Sequence, residues 1–364
     1  MGNQLEMTLL EKQISFYTAS DRQSIPKKPL EFLKSLSGIS VYDIIGKDQA
    51  NTRVITTLIH GNEPSGLIAC HLWLRSNETP TTNVRIIFCN PEAAKTKPYF
   101  TNRYLSQNDD LNRYFTKASI VTNEKRENIC SVTNRAKQII SLIKPSDNNN
   151  PTGIKNNLEA ILDLHNTSGA SPAFAVSIQA DKKHCQLAEF FTDNMIQTNI
   201  HVGAIMEQQF NAPIVTIECG GANENKSHQV ATIGVQNFLD RVSLFDGIHC
   251  RVSVRNNPLR VELTDDSSVG FSNHPLQTTD LTFRADIETL NNGITPVGEF
   301  IGWTSNDKTL LFEAFDLDGN NHIEKLFEIR GECIYTLVEI QFYMITCVPE
   351  IATKDCLFYI TTIN

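Results

Sequence analysis

Between about residues 39 and 240, β-branched stretches alternate with stretches of helical periodicity, and this alternation restricts the possible folds more than any other feature of the chain. "VITTLI" (54–59) and "VRIIFC" (84–89) read as buried strands, and "SGLIACHLWLRS" between them reads as a helix opening at Ser65. A strand, a crossover helix and a second strand make a βαβ unit, whose strands run parallel, so an α/β sheet is expected. The same rhythm continues with helical spacing over 123–143, ending before Pro145, and a polar loop "SDNNNPTG" at 146–153. "LEAILDLH" (158–165), "AFAVSI" (173–178) and "PIVTIEC" (213–219) read as further strands, with helices near 184–198 and 228–242.

Past about residue 245 the character changes. "HCRVSVR", "LTFRADI", "GEFIGWT", "TLLFEAF" and "CLFYITTI" are short, β-branched or aromatic, and separated by turn residues. A chain of 364 residues also exceeds the roughly 250–300 at which one hydrophobic core stops growing. Two domains are expected, one over 1–244 and a β-rich one over 245–364.

The α/β part places chemistry at its strand ends, where such sheets hold their ligands. His60 ends one strand and Glu63 follows it in "HGNE"; taken alone, these are equally a solvated loop histidine and a glutamate favoured by a helix N-terminus. "ILDLHNTSG" (161–169) delivers a second histidine, His165, and period-2 alternation puts Asp163 on the same face, where it could orient a ligating imidazole or pair with a nearby lysine. Two histidines and a carboxylate leave one position for water, the composition of a catalytic zinc site rather than a structural one. Zinc would acidify that water and polarise a carbonyl, and Glu218, at the end of "PIVTIEC", is positioned to move the proton. A fourth stretch, "NPEAAKTKPYFTNRYLSQNDDLNRYF" (90–115), places Arg103, Asn112 and Arg113 near the same sheet edge, where arginine forks can hold carboxylates or oxyanions. Leu, Tyr and Phe packed around "DDLNRYF" suggest a held loop.

Taken in order, "HGNE" after a strand, "NPxA", an arginine upstream of "DLNRxF", "DLHNT" and a strand ending "TIECGG" resemble the succinylglutamate desuccinylase/aspartoacylase family of zinc hydrolases, relatives of the zinc carboxypeptidases. The resemblance runs over roughly residues 50–240. It implies a zinc-peptidase-like fold, a mixed and mostly parallel sheet flanked by helices, followed by a C-terminal β-rich domain that partly closes the site. It further implies one Zn2+ on His60, Glu63 and His165, Glu218 as general acid/base, and Arg103 helping to polarise the scissile carbonyl. Asn112 and Arg113 match the pair that holds a substrate carboxylate, and the implied reaction is hydrolysis of the amide bond of a small carboxylate-bearing N-acyl amino acid. A tyrosine from the C-terminal domain is also implied, with Tyr335, Tyr343 and Tyr359 as equal candidates.

Composition narrows the alternatives. A formal charge of -9 without a Lys/Arg cluster gives no footprint for nucleic acid. No run approaches the ~18 apolar residues of a membrane span, and "MGNQLEMTLLEKQ" has neither the basic nor the apolar region of a signal peptide. Glu6 argues against myristoylation at Gly2, and the nine cysteines are scattered without CxxC spacing, so cytoplasm and a reducing compartment are expected. No segment announces an interface, and the oligomeric state stays open.

A carboxypeptidase-like enzyme would use the same metal site and the same Asn-Arg pair, but "NPEA" and the β-rich tail favour the acylase side. A non-catalytic binding module would lack a ligand or the base, and the sequence lacks neither. "DLDGNNHIE" (316–324) has its glycine at the fourth rather than the sixth place, so it reads as a turn and not as a calcium loop. His71 reads as a packing residue, His228 as a helix-start residue close to the Glu218 turn, and Cys219 as part of the core.

Overall fold

The computed structural model describes residues 14–105, 109–116, 127–144, 151–247, 250–305, 309–316, 318–354 and 356–363. The expected βαβ unit is present within a nine-stranded sheet. Its strands are β1 (Ile14–Tyr17), β2 (Ile39–Ile44), β3 (Asp48–Thr57), β4 (Thr82–Phe88), β5 (Leu158–Thr167), β6 (Phe174–Ser177), β7 (Asn194–Gln197), β8 (Ile214–Gly221) and β9 (Ser253–Asn256). In space they run β1-β2-β4-β3-β5-β8-β6-β7-β9. Only the β2/β4 and β6/β8 pairs are antiparallel, so the sheet is mixed and mostly parallel.

The centre of the sheet is β4-β3-β5-β8, and both of its faces are covered. Helices Ser65–Ser76 and Asn225–Asp240 pack side by side on one face over Leu162, Leu164, Val215 and Ile217. Helix Glu127–Ile143 covers the other, over Val54, Ile87 and Ile161. Double coverage explains why these strands read as nearly continuous apolar runs rather than as alternating ones. The exception within β3 is Arg53, fully buried, which pairs with Glu159 at 2.8 Å and donates to the carbonyls of Phe238 and Arg241. It ties the end of helix Asn225–Asp240 to the sheet, and removing one partner of such a buried pair would leave an uncompensated charge.

One expectation is corrected by the pairing. Residues 184–198 do not form one helix: a short helix, Lys182–Ala188, is followed by β7, because Asn194–Gln197 finds strand partners on both sides in β6 and β9. Tertiary pairing here overrides helical periodicity. The large sheet also takes its last strand, β9, from beyond residue 245.

After Asn256 the chain is β-rich, as expected. Strands β10 (Leu259–Leu263), β11 (Val269–Ser272), β12 (Leu281–Arg284), β13 (Ile294–Thr295), β14 (Phe300–Thr304) and β15 (Phe312–Phe315) lead into β16 (Phe327–Arg330), β17 (Cys333–Thr336), β18 (Ile340–Tyr343) and β19 (Phe358–Thr362). They form two five-stranded sheets, β13-β18-β19-β10-β15 and β11-β12-β14-β17-β16, around a shared core that includes Phe283, Phe312, Phe327, Phe342 and Phe358. The "DLDGNNHIE" stretch turns back on itself: Asp316 accepts from the backbone of Asp318 and Asn320 and pairs with His322 at 2.6 Å.

This region touches the α/β part just behind β5. Glu288 accepts from Ala170 N–H at 2.9 Å, while the Asn291 amide donates to Ala170 O and Asn292 donates to Ala173 O. Tyr343 is buried against the ring of Phe174, whose Cα partner across β6/β8 is Glu218.

Candidate metal centre and active site

β3, β5 and β8 are adjacent and parallel, so their carboxyl ends open onto one edge. Register fixes what meets there: Asp163 opposes Thr56 and Thr216, and His165 opposes Glu218. Past Thr57 the chain breaks out of β3 at Leu58, whose φ of 56° lies in the left-handed region that non-glycine residues rarely adopt. Leu58 is nonetheless fully buried, so core packing holds the bend that turns His60 over the sheet edge. Gly61 follows because nothing larger fits: a Cβ there would lie 2.5 Å from Ala94 N and 2.6 Å from Ala93 C, in the helix that opens at the "NPEA" proline.

The structure brings His60, Glu63 and His165 together. All three are buried, and one donor atom from each lies within 4.8 Å of the others. His60 Nδ1 is 2.8 Å from Glu63 Oε1, and His165 Nδ1 is 2.7 Å from Glu63 Oε2. Burial alone would raise the Glu63 carboxyl, but the two imidazoles outweigh it and hold it well below the usual carboxylate range. Each imidazole is gripped on its far side by a second carboxylate. Asp163 Oδ2 lies 2.8 Å from His165 Nε2, and Asp110 Oδ1 lies 2.8 Å from His60 Nε2. These bonds leave both Nδ1 atoms facing the same point, the arrangement in which carboxylates orient ligating histidines.

Glu218 stands beside this cluster, buried, and its Oε2 has no hydrogen-bond partner among the described residues. Burial pushes its carboxyl up to about 7, with the nearby His165 pulling against the shift. Asn62 Oδ1, inside "HGNE", is buried and unpartnered in the same way. A converging His/Glu/His donor set and an unsatisfied buried carboxylate oxygen together fit a divalent cation with oxygen-containing ligands beside it.

Arg103, Asn112 and Arg113 are gathered by Asp110. Arg103 Nη1 lies 3.0 Å from Glu63 Oε1 and Nη2 lies 3.4 Å from Asp110 Oδ2, so this arginine stands at the cluster. Asp110 caps the tight turn Leu111–Arg113 by accepting from Asn112 N–H at 2.9 Å, and its Oδ2 is 3.8 Å from Arg113 Nη1. Leu111 and Phe115 are buried beneath the turn, which is the held loop that the apolar residues of "DDLNRYF" suggest. Asp110 would be raised by burial, yet His60, Arg103 and Arg113 keep it well below its ordinary value.

Sequence reasoning did not single out Asp110, although its signal was the first residue of the same "DLNR" motif. It also missed Asn166, which joins the cluster to its supports. The backbone N–H of Asn166 donates to Glu63 Oε2, and its side chain donates to Ser65 Oγ and Gly220 O. His228 lies 2.8 Å from Ser65 Oγ, which Asn166 links to Glu63. His71 is buried, bonded to Pro26 O and packed on Phe32, and Cys219 is a core thiol raised well above its usual value by burial.

Comparisons with known proteins agree with this geometry. The family model described as the succinylglutamate desuccinylase/aspartoacylase catalytic domain matches residues 49–242, more than half of the chain. No curated protein matches the chain in sequence. Among solved structures, a succinylglutamate desuccinylase from Vibrio parahaemolyticus is similar at 15% identity and a TM-score of 0.54, covering 87% of this chain and 97% of that one. A succinylglutamate desuccinylase/aspartoacylase from Rhodobacter sphaeroides is similar at 13% identity and a TM-score of 0.53, covering 90% of each chain. A mutant of murine aminoacylase 3 is similar at 15% identity and a TM-score of 0.52, covering 87% and 95%. At these identities the structures establish a shared fold, while the family model covers the whole strand-end constellation from His60 to Glu218. The chain belongs to the succinylglutamate desuccinylase/aspartoacylase family.

Proposed function

We propose that this protein hydrolyses the amide bond of a carboxylate-bearing N-acyl amino acid, with one zinc ion per chain held by His60, Glu63 and His165. Family membership and the His/Glu/His cluster make it a hydrolase of the zinc amidohydrolase type. The observation that carries the finer reading is the buried Oε2 of Glu218 beside that cluster, without a hydrogen-bond partner among the described residues. When bound, zinc supplies a Lewis acid that polarises a carbonyl and acidifies water.

The chain's own residues do the rest. Glu218, raised towards neutrality by burial, accepts the proton of the attacking water and returns it to the departing amine. Arg103, already beside Glu63, offers its guanidinium to the developing oxyanion. Asn112 and Arg113, one carboxylate removed from His60, hold the substrate carboxylate, with the planar fork of Arg113 giving directional binding. Asp163 and Asp110 keep the two imidazoles turned the right way.

Among the described residues no helix is long and apolar enough to cross a membrane. The eight described cysteines are free thiols, which fits a reducing compartment and, within this reading, the cytoplasm.

The test is release of free amine by the zinc-loaded protein from N-acetylaspartate, N-succinylglutamate, other N-acyl amino acids and short peptides. Turnover of an acyl amino acid that stops with chelator is expected. Cleavage of peptides alone would replace the proposal with a carboxypeptidase-like activity.

A further inference from the structure

We infer that Glu207 is a positioning residue for the substrate-carboxylate subsite, acting through a backbone turn that fixes Asn112 and Arg113. The inference rests on the proposed role of those two residues and deepens it. Glu207 is a buried carboxylate with no place in the metal cluster. Its Oε1 accepts three successive backbone N–H groups, from Val202 at 2.8 Å, Gly203 at 2.9 Å and Ala204 at 2.9 Å. Charge-assisted bonds of this kind are about twice as strong as neutral ones, and three on one oxygen define the turn. Among the described residues the opposite oxygen, Oε2, faces only the exposed His201, at 3.5 Å.

The turn that Glu207 builds is pressed against the other loop at three points. Gly203 O accepts from Phe115 N–H at 2.9 Å. Gly203 itself, at φ 90°, lies so close that an added Cβ would be 2.3 Å from Arg113 O. Ile205 N–H donates to Asn112 Oδ1 at 3.1 Å.

The last contact decides the chemistry. A backbone N–H can only donate, so it must meet the oxygen of the Asn112 amide and not its nitrogen. The amide nitrogen is then the end left to donate, which is what recognition of a carboxylate requires. Asn112 Nδ2 makes no hydrogen bond among the described residues. Gly203 meanwhile sets the height of the Arg113 backbone. Glu207 therefore sets how a substrate carboxylate is held without touching it, and its loss removes ground-state binding while Glu218 and the metal ligands stay in place.

The experiment uses the acyl amino acid identified by the panel above, together with its analogue in which the carboxylates are carboxamides. Glu207→Ala and Gly203→Ala are each expected to raise KM at least tenfold with kcat within about threefold, zinc content unchanged, and to lose most of the preference for acid over amide. Glu207→Gln keeps an acceptor oxygen for the turn and should return KM to near the wild-type value. His201→Ala, which removes only the contact to Oε2, should leave KM as it is. The inference is overturned if folded, zinc-loaded Glu207→Ala or Gly203→Ala keeps the wild-type KM and acid preference, or loses kcat and zinc instead. A wild type that turns over acid and amide equally well would overturn something different, the carboxylate role of Asn112 and Arg113 on which the inference rests.

Discussion

His165 and Glu218 are direct cross-strand partners on β5 and β8, so the sheet itself sets a histidine of the His/Glu/His cluster beside a buried carboxylate oxygen that has no hydrogen-bond partner among the described residues. That neighbourhood makes Glu218 the group proposed to move the proton and also an energetic liability, since burying a carboxylate without hydrogen-bond partners disfavours its charged form.

The liability has a sign that can be measured in the metal-free protein. Burial raises the Glu218 carboxyl from an ordinary value of 4.5 to about 7 in the folded state. Between those values the folded chain holds a proton that the unfolded chain has lost, so this group's contribution to stability is full below pH 4.5 and is lost as pH rises through about 7. Thermal unfolding of chelator-treated protein should therefore show Glu218→Gln gaining stability relative to wild type as pH rises from 5 to 8. A difference between the two proteins that does not change with pH would show that Glu218 ionises normally.

Asp110 grips His60 Nε2 at 2.8 Å and should support metal affinity without touching the ion. Asp110→Asn keeps the size and one acceptor oxygen but removes the charge. Competition with a chromophoric chelator should show zinc bound about 10- to 100-fold more weakly, the usual cost of losing a partner behind a ligating histidine. Unchanged affinity would leave Asp110 as no more than a cap for the turn Leu111–Arg113.

The bend at Leu58 and the close approach of Gly61 to Ala93 and Ala94 position His60 by packing. Gly61→Ala pushes a methyl group into helix backbone, an overpacking that costs about 1–3 kcal/mol. A lower midpoint of thermal unfolding and weaker zinc binding should appear together. A variant with wild-type stability and affinity would show that the two segments can move apart freely.

Most of the constellation could be read from the sequence because parallel strands announce themselves. "VITTLI", "ILDLH" and "PIVTIEC" are largely apolar on both faces, and the polar residues at or just past their ends had to stand at the sheet's carboxyl edge. What the sequence hid was whatever depended on partners distant in the chain. Asn194–Gln197 carries no strand signal of its own and becomes β7 only because β6 and β9 flank it. Asp110 looked like part of a polar loop until His60, 50 residues earlier, was found against it. Glu207 gave no signal at all, since its three bonds are to neighbouring backbone and its effect passes to Asn112 through the N–H of Ile205.

The most direct measurement is steady-state hydrolysis by zinc-loaded Glu218→Gln beside the wild type, with zinc content determined for both. kcat is expected to fall by a factor on the order of 10²–10⁴, the usual contribution of a general acid–base group, while zinc stoichiometry and KM hold. A Glu218→Gln protein that binds zinc fully and turns over at the wild-type rate would contradict this, because the buried carboxylate beside His165 would then take no part in the chemistry.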